Sequence, residues 1–228
     1  AARAFFRRTG LEGGARLRLV KRIPAGGGLG GGSSDAAATL IALNRLHDRP
    51  LHESELLELS AELGADVPFF AADTALALAW GRGERLLALD ALPRVNVLLA
   101  VPPFGVSTAE AYGALDVLAA SSANEGAPLA QLHRAGDYRT WTTLAPRASN
   151  DFEAAVFPRH PRLSGLKRAL RDHGAFLSLM TGSGSTIFGL FRTPAALHDA
   201  HERLREQFQD VAFVETCTDG GEREDLLG

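Results

Sequence analysis

IPAGGGLGGGSSDAAATL, residues 23–40, decides how the rest of the chain is read. Six of the seven residues from Gly26 to Gly32 are glycine, and Ser33-Ser34-Asp35 then opens an alanine-rich run. By composition alone the stretch matches a flexible Gly/Ser linker. Its flanks argue otherwise, because a linker joins finished domains and this run sits between two patterned segments. ARLRLVKRIP, residues 15–24, alternates Leu17 and Leu19 with Arg16 and Arg18, which predicts a half-buried strand ended by Pro24. From Asp35 onward, Ala36, Leu40, Leu43 and Leu46 recur at helical intervals and predict a helix to about His47. Glycine between a strand and a helix permits positive φ and lets a ligand approach the backbone with no Cβ in the way. Ser33-Ser34-Asp35 is expected to cap the helix. The first helical N–H groups lack internal partners and sit at the positive end of the dipole, so the loop reads as a phosphate site.

Two familiar phosphate patterns fit less well. GxxxxGK[ST] fails because no lysine follows the glycines. GxGxxG matches at Gly26, Gly28 and Gly31, but the dinucleotide fold also wants a second strand with an acidic residue about 20 positions on. That region reads HDRPLHES, a loop between helices, which leaves a dinucleotide-dependent oxidoreductase as the weaker alternative.

Outward from the loop, residues 1–9 interleave Arg and Phe at helical spacing, and Gly10 stops them. The chain thus reads as beginning inside a helix with no initiator methionine, and an upstream segment is expected. Leu56, Leu59 and Leu63 mark another helix closed by Gly64. TALALAW (74–80) turns through GRGE (81–84) into RLLAL as a hairpin. VNVLLAV after Pro93 is a continuous apolar strand, taken as the start of a second domain, so the division is 1–92 and 93–228. Residues 119–136, rich in Ala, Ser and Gly, read as a mobile connection. Helices are expected at about 150–157, 161–173 and 194–208. A hairpin is expected around Thr181-Gly182-Ser183-Gly184, and VAFVET reads as a last strand. Strands and helices mix without strict alternation, so the class is α+β.

The bulk properties exclude several functions. With 228 residues the chain can build one large or two small cores. A net charge of -3 argues against nucleic-acid or anionic-membrane partners. No apolar run reaches the roughly 20 residues that span a bilayer, and no export signal is visible. A single cysteine, Cys217, excludes an internal disulfide and a thiolate metal cluster. A cytoplasmic protein is expected.

IPAGGGLGGGSSDAAATLIALNRL resembles the ATP-phosphate loop of the GHMP kinases. Further motifs of that family follow in order: LGADVPFF (63–70), GRGE (81–84), PPFGVSTAEAY (102–112), NDFEAAVFPRHP (150–161) and MTGSGSTIFGLF (180–191). The branch it resembles more narrowly acts on the 2-hydroxyl of a cytidine-diphosphate-linked methylerythritol. The resemblance implies a two-domain fold: an N-terminal domain like ribosomal protein S5 domain 2, truncated at its start, and a ferredoxin-like C-terminal domain. It implies ATP and Mg²⁺ as cofactors, a small-molecule substrate, and a monomer or homodimer. Its ATP-phosphate residues fall on Pro24, Ala25, Gly26, Gly27, Gly28, Leu29, Gly30, Gly31, Gly32, Ser33 and Ser34. Its catalytic carboxylate falls on Asp66, and its second glycine turn on Thr181, Gly182, Ser183 and Gly184. Thr181 stands where serine is usual, and Gly27 where alanine is frequent. The family also carries a lysine on a strand near its N-terminus that this sequence does not supply, so the chain alone is expected to turn over poorly. Lys21 is not that lysine and reads as an exposed strand charge. Other members of the family, of homoserine or mevalonate type, and a non-catalytic protein of the same fold are the alternatives.

Other polar clusters read as ordinary structure. His198, His201 and Glu202 fit a solvated helix face rather than a metal site. Trp80 and Trp141 read as packing residues, Asp151 and Glu153 as acids at a helix N-terminus, and Cys217 as an unactivated thiol.

Overall fold

A computed structural model of the chain describes residues 1–122 and 138–220, with no account of the side chains of 119–122. By compactness it divides into two units. One comprises residues 1–23 and 30–91; the other comprises 24–29 and 92–228.

The first unit is mostly helical. Helix α1 (Ala2–Thr9) stops at Gly10, whose φ of 68° lets its N–H reach back to Phe6 O. Helices α2 (Gly31–Leu46) and α3 (Glu53–Leu63) follow, then the one-turn helix α4 (Val67–Ala71). Phe5 is wholly buried among Leu40, Leu43 and Leu59, which is why the Phe-rich face of α1 turns inward. The connection from α2 to α3 is fixed by buried Asn44, whose side chain donates to Leu51 O and accepts from Leu51 N, each at 3.0 Å. The hairpin β1 (Leu76–Trp80) and β2 (Arg85–Leu89) pairs Leu76 with Leu89 and Trp80 with Arg85, as the alternation predicts.

One expectation fails here. Residues 11–23 carry no regular secondary structure, and no strand pairs with them among the described residues. Leu17 and Leu19 are 60% and 63% exposed, so the alternation seen in the sequence finds no buried side. A strand is stabilised by a partner's backbone, and alternation cannot supply the partner. Trp80 is likewise exposed rather than packed.

The second unit is a four-stranded antiparallel sheet. Strand β3 (Asn96–Val101) leads through α5 (Thr108–Ser122), the short α6 (Trp141–Leu144) with its following 3-10 turn, α7 (Phe152–Val156) and α8 (Pro161–Asp172). Strands β4 (Leu177–Met180) and β5 (Ile187–Phe191), helix α9 (Pro194–Gln207) and β6 (Ala212–Cys217) complete it. The order is β4-β5-β3-β6, the split βαββαβ arrangement of a ferredoxin-like domain. Leu98 and Ala100 face one core with Leu166, Leu170 and Leu204; Val97 faces another with Leu177 and Leu190. Both sides of β3 are covered, which accounts for its unbroken apolar run. The chain is α+β. The connection expected from residue 119 begins later than read, since α5 continues to Ser122, and its remainder falls mainly outside the described residues.

Candidate active site

The glycine-rich loop contributes to both units, and each portion has its own environment. In the first unit, Gly30 is the N-cap of α2 in the left-handed region at φ 65°, and no side chain caps the helix. The helix starts at Gly31, four residues earlier than the apolar spacing indicates, so Ser33, Ser34 and Asp35 lie inside its first turn. They do not cap it. Ser34 Oγ donates to Gly31 O at 3.0 Å, and Asp35 Oδ2 is 2.5 Å from Lys21 Nζ. The amides of Gly31, Gly32 and Ser33 are thereby left for an external acceptor, at the end of the helix where an anion is stabilised. Lys21, read as a strand charge, instead brings a cation beside this turn.

Asp66 occupies the N-cap position of α4 without making a cap hydrogen bond. It is exposed, and no hydrogen bond or ion pair engages its carboxylate among the described residues. Helix α4 packs against α2. One turn on from Asp66, the Phe70 ring lies against Gly30: a Cβ at position 30 would stand 2.7 Å from Phe70 Cζ. Behind Asp66, the β1–β2 turn closes on Ala65, where a Cβ on Gly83 would meet Ala65 O at 3.2 Å. Glu84 rigidifies that turn by accepting from Arg82 N at 2.7 Å. Backbone hydrogen bonds from its own amide and from Arg82 hold the Glu84 carboxyl below the usual carboxylate range. GRGE therefore buttresses the segment that presents Asp66.

In the second unit, residues 24–29 lie against the turn Thr181–Gly184. Gly27 O accepts from Thr186 N and from Thr181 Oγ1, each at 3.1 Å. Thr181 thus uses the hydroxyl that serine would supply. Gly28 has φ 73°, and a Cβ there would stand 2.1 Å from Thr181 O. The turn is closed by Thr181 N to Thr186 O and Gly184 N to Thr181 O, both 2.9 Å. Ser183 Oγ lies 3.2 Å from Thr108 Oγ1 at the start of α5.

Two residues of NDFEAAVFPRHP carry the turn, and residue-type reasoning missed both roles. Asn150 Nδ2 donates to Met180 O and Gly182 O, both at 2.8 Å, while its Oδ1 accepts from Phe152 N at 3.0 Å. Glu153, read as a helix-dipole acid, accepts from Met180 N on Oε1 at 2.8 Å and pairs Oε2 with Lys167. An Asn bridging two carbonyls across a glycine turn leaves no spacing signature; only the motif pointed to this segment.

The histidines of α9 are not merely solvated. His201 Nδ1 is 2.6 Å and His198 Nδ1 3.5 Å from Glu215 Oε1 on β6. No group of three or more His, Cys, Asp or Glu that could hold a metal occurs among the described residues. Cys217 has a neighbour that the sequence did not reveal, Arg94 Nη2 at 2.7 Å.

The first unit thus carries an uncapped helix N-terminus and an exposed carboxylate, and the second a glycine stretch pinned to a glycine turn. Residues 1–74 match the GHMP kinases N terminal domain, and residues 129–210 match the GHMP kinases C terminal domain. The chain belongs to the GHMP kinase family.

Within it, the chain is similar to 4-diphosphocytidyl-2-C-methyl-D-erythritol kinase of Solibacter usitatus, 43% identical over 194 residues, 83% of this chain and 60% of the relative. The enzyme of that name from Citrifermentans bemidjiense is 40% identical over 217 residues, 95% of this chain and 74% of the relative. The crystal structure of a 4-(cytidine 5'-diphospho)-2C-methyl-D-erythritol kinase matches with TM-score 0.74 at 35% identity, covering 96% of this chain and 77% of that one. Among the described residues, no helix is long and apolar enough to cross a membrane.

Proposed function

We propose that the protein transfers the γ-phosphate of ATP to the 2-hydroxyl of 4-diphosphocytidyl-2-C-methyl-D-erythritol, in the non-mevalonate route to isoprenoid precursors. The observation that carries this reading is 40% identity across 95% of the chain to an enzyme of that name. In it, residues 1–92 form the nucleotide-holding domain and 93–228 the second domain. Pro24–Ser34 hold the ATP phosphates through backbone N–H groups; the uncapped start of α2 suits a polyanion. Thr181–Gly184 stiffen the first half of that loop through Gly27 O.

Asp66 orients the acceptor hydroxyl and takes its proton as the oxygen attacks the γ-phosphorus. An exposed carboxylate with no competing partner among the described residues fits that role. Mg²⁺ supplies charge neutralisation when it accompanies the triphosphate. No residue is assigned to it. The protein works in the cytoplasm as a monomer or homodimer.

The test is acceptor-dependent ADP formation. Faster formation with the cytidylylated methylerythritol than with homoserine or mevalonate is expected. A preference for either of the latter moves the protein to another branch; because the chain alone is expected to turn over poorly, it is no acceptor-dependent ADP together with no saturable binding of an ATP analogue that removes the enzymatic reading.

A further inference from the structure

A second feature of the sheet unit is unrelated to phosphoryl transfer. Along β4, one of the two edge strands of the sheet, lies an open groove of about 610 Å³, within the range of small-molecule sites. Leu177 and Leu179 of β4, Phe176 and Trp141 supply its apolar lining, the two rings meeting edge to face at 6.5 Å. Arg171 of α8 and Arg192, just past β5, also line it. The Arg192 guanidinium lies 5.0 Å over the Phe176 ring, which holds it in place beside the apolar lining.

The charge balance is one-sided. Glu153 is the acid in the groove, and it is already committed to Lys167 and to Met180 N. Arg171 and Arg192 have no carboxylate partner among the described residues. Two guanidiniums with free donors, set beside an apolar and aromatic lining, match a ligand with both characters. Guanidinium prefers phosphate because its fork of donors fits the phosphate oxygens.

We infer that this groove binds a small organic phosphate whose apolar portion lies against the apolar lining and whose phosphate meets Arg171 and Arg192. The inference rests on the sheet unit alone and is independent of the proposed kinase reaction. Its nearest shared element is Asn150, which lines the groove and also holds the Thr181–Gly184 turn.

Trp141 reports on the site. The chain has two tryptophans, and Trp80→Phe leaves Trp141 as the sole emitter. Phenyl phosphate titrated into that protein is expected to change Trp141 emission saturably, with Kd below about 1 mM. Inorganic phosphate and phenol should each bind at least about tenfold more weakly, since each satisfies half of the groove. Arg171→Glu with Arg192→Glu should weaken phenyl phosphate at least about tenfold without lowering the melting temperature of the sheet unit appreciably. Should the charge-reversed protein fail to fold, Arg171→Gln with Arg192→Gln carries the same expectation. The inference is overturned by absence of saturation, by equal binding of inorganic phosphate, or by unchanged affinity in the folded arginine variants.

Discussion

Gly27 and Gly28 are adjacent in sequence but place opposite demands on a side chain. Gly28 sits at φ 73° with Thr181 O only 2.1 Å from the position of a Cβ, and that oxygen is backbone, which cannot swing aside. Gly27 lacks positive φ, and its Cβ would stand 3.0 Å from Thr186 Oγ1, a buried hydroxyl without a partner among the described residues. Gly28→Ala is therefore expected to cost about 3 kcal/mol or more, from left-handed strain plus overlap, and Gly27→Ala about 1 kcal/mol. Urea denaturation of the two variants checks the difference; equal costs would mean that the two turns are not packed as described. Asp66→Asn preserves size and removes the carboxylate proposed as the base. It is expected to lower the transfer rate by about 10²–10⁴-fold with ATP-analogue affinity within about twofold. Near-normal turnover would remove Asp66 from the reaction. Asp66 was legible as a candidate from its motif; its lack of a partner among the described residues was not, since that depends on what surrounds it.

At the scale of elements, Asn150 joins α7 to the turn after β4 through two bonds to carbonyls and one from an amide. Asn150→Ala should destabilise the sheet unit by about 1–3 kcal/mol, because Met180 O and Gly182 O lose their donor. Asn150→Asp should behave almost as poorly, since it retains only the acceptor. Recovery of stability by Asp would show that the two donor bonds contribute little. Helix α9 and β6 are joined by Glu215, whose carboxyl is held below the ordinary range chiefly by the hydrogen bond with His201 and less by His198. A depressed carboxyl contributes stability above its unfolded pKa of about 4.3 and loses it as pH falls through the lower folded value. Glu215 is 40% exposed, so screening limits the contribution to under about 1 kcal/mol. Glu215→Gln should flatten the acid limb of a stability-against-pH curve below about pH 4.5 and lower the neutral plateau by that same contribution, under about 1 kcal/mol. An unaltered acid limb would rule out the link. The helix periodicities and the two hairpins were readable because each is a local pattern. Residues 15–24 misled because alternation is necessary for a half-buried strand and pairing is not local. Helix α4 was missed because five residues carry too little periodicity to read.

For the whole chain, the antiparallel β4-β5-β3-β6 order could not be read from segments, because which strands pair is not a local pattern. The motif order named the family, and the family model and relatives bear that out across both units. The sequence did not disclose how the first loop becomes rigid: one carbonyl, Gly27 O, taking bonds from both ends of a turn more than 150 residues further on. The claim on which the function depends is that bare amides at residues 26–34 hold phosphate. Amide NMR of the isotopically labelled chain, titrated with a non-hydrolysable ATP analogue and Mg²⁺, tests it directly. The largest saturable shifts are predicted at Gly26–Ser34, with Gly31, Gly32 and Ser33 foremost. Saturable shifts clustered elsewhere, with those amides unmoved, would contradict it.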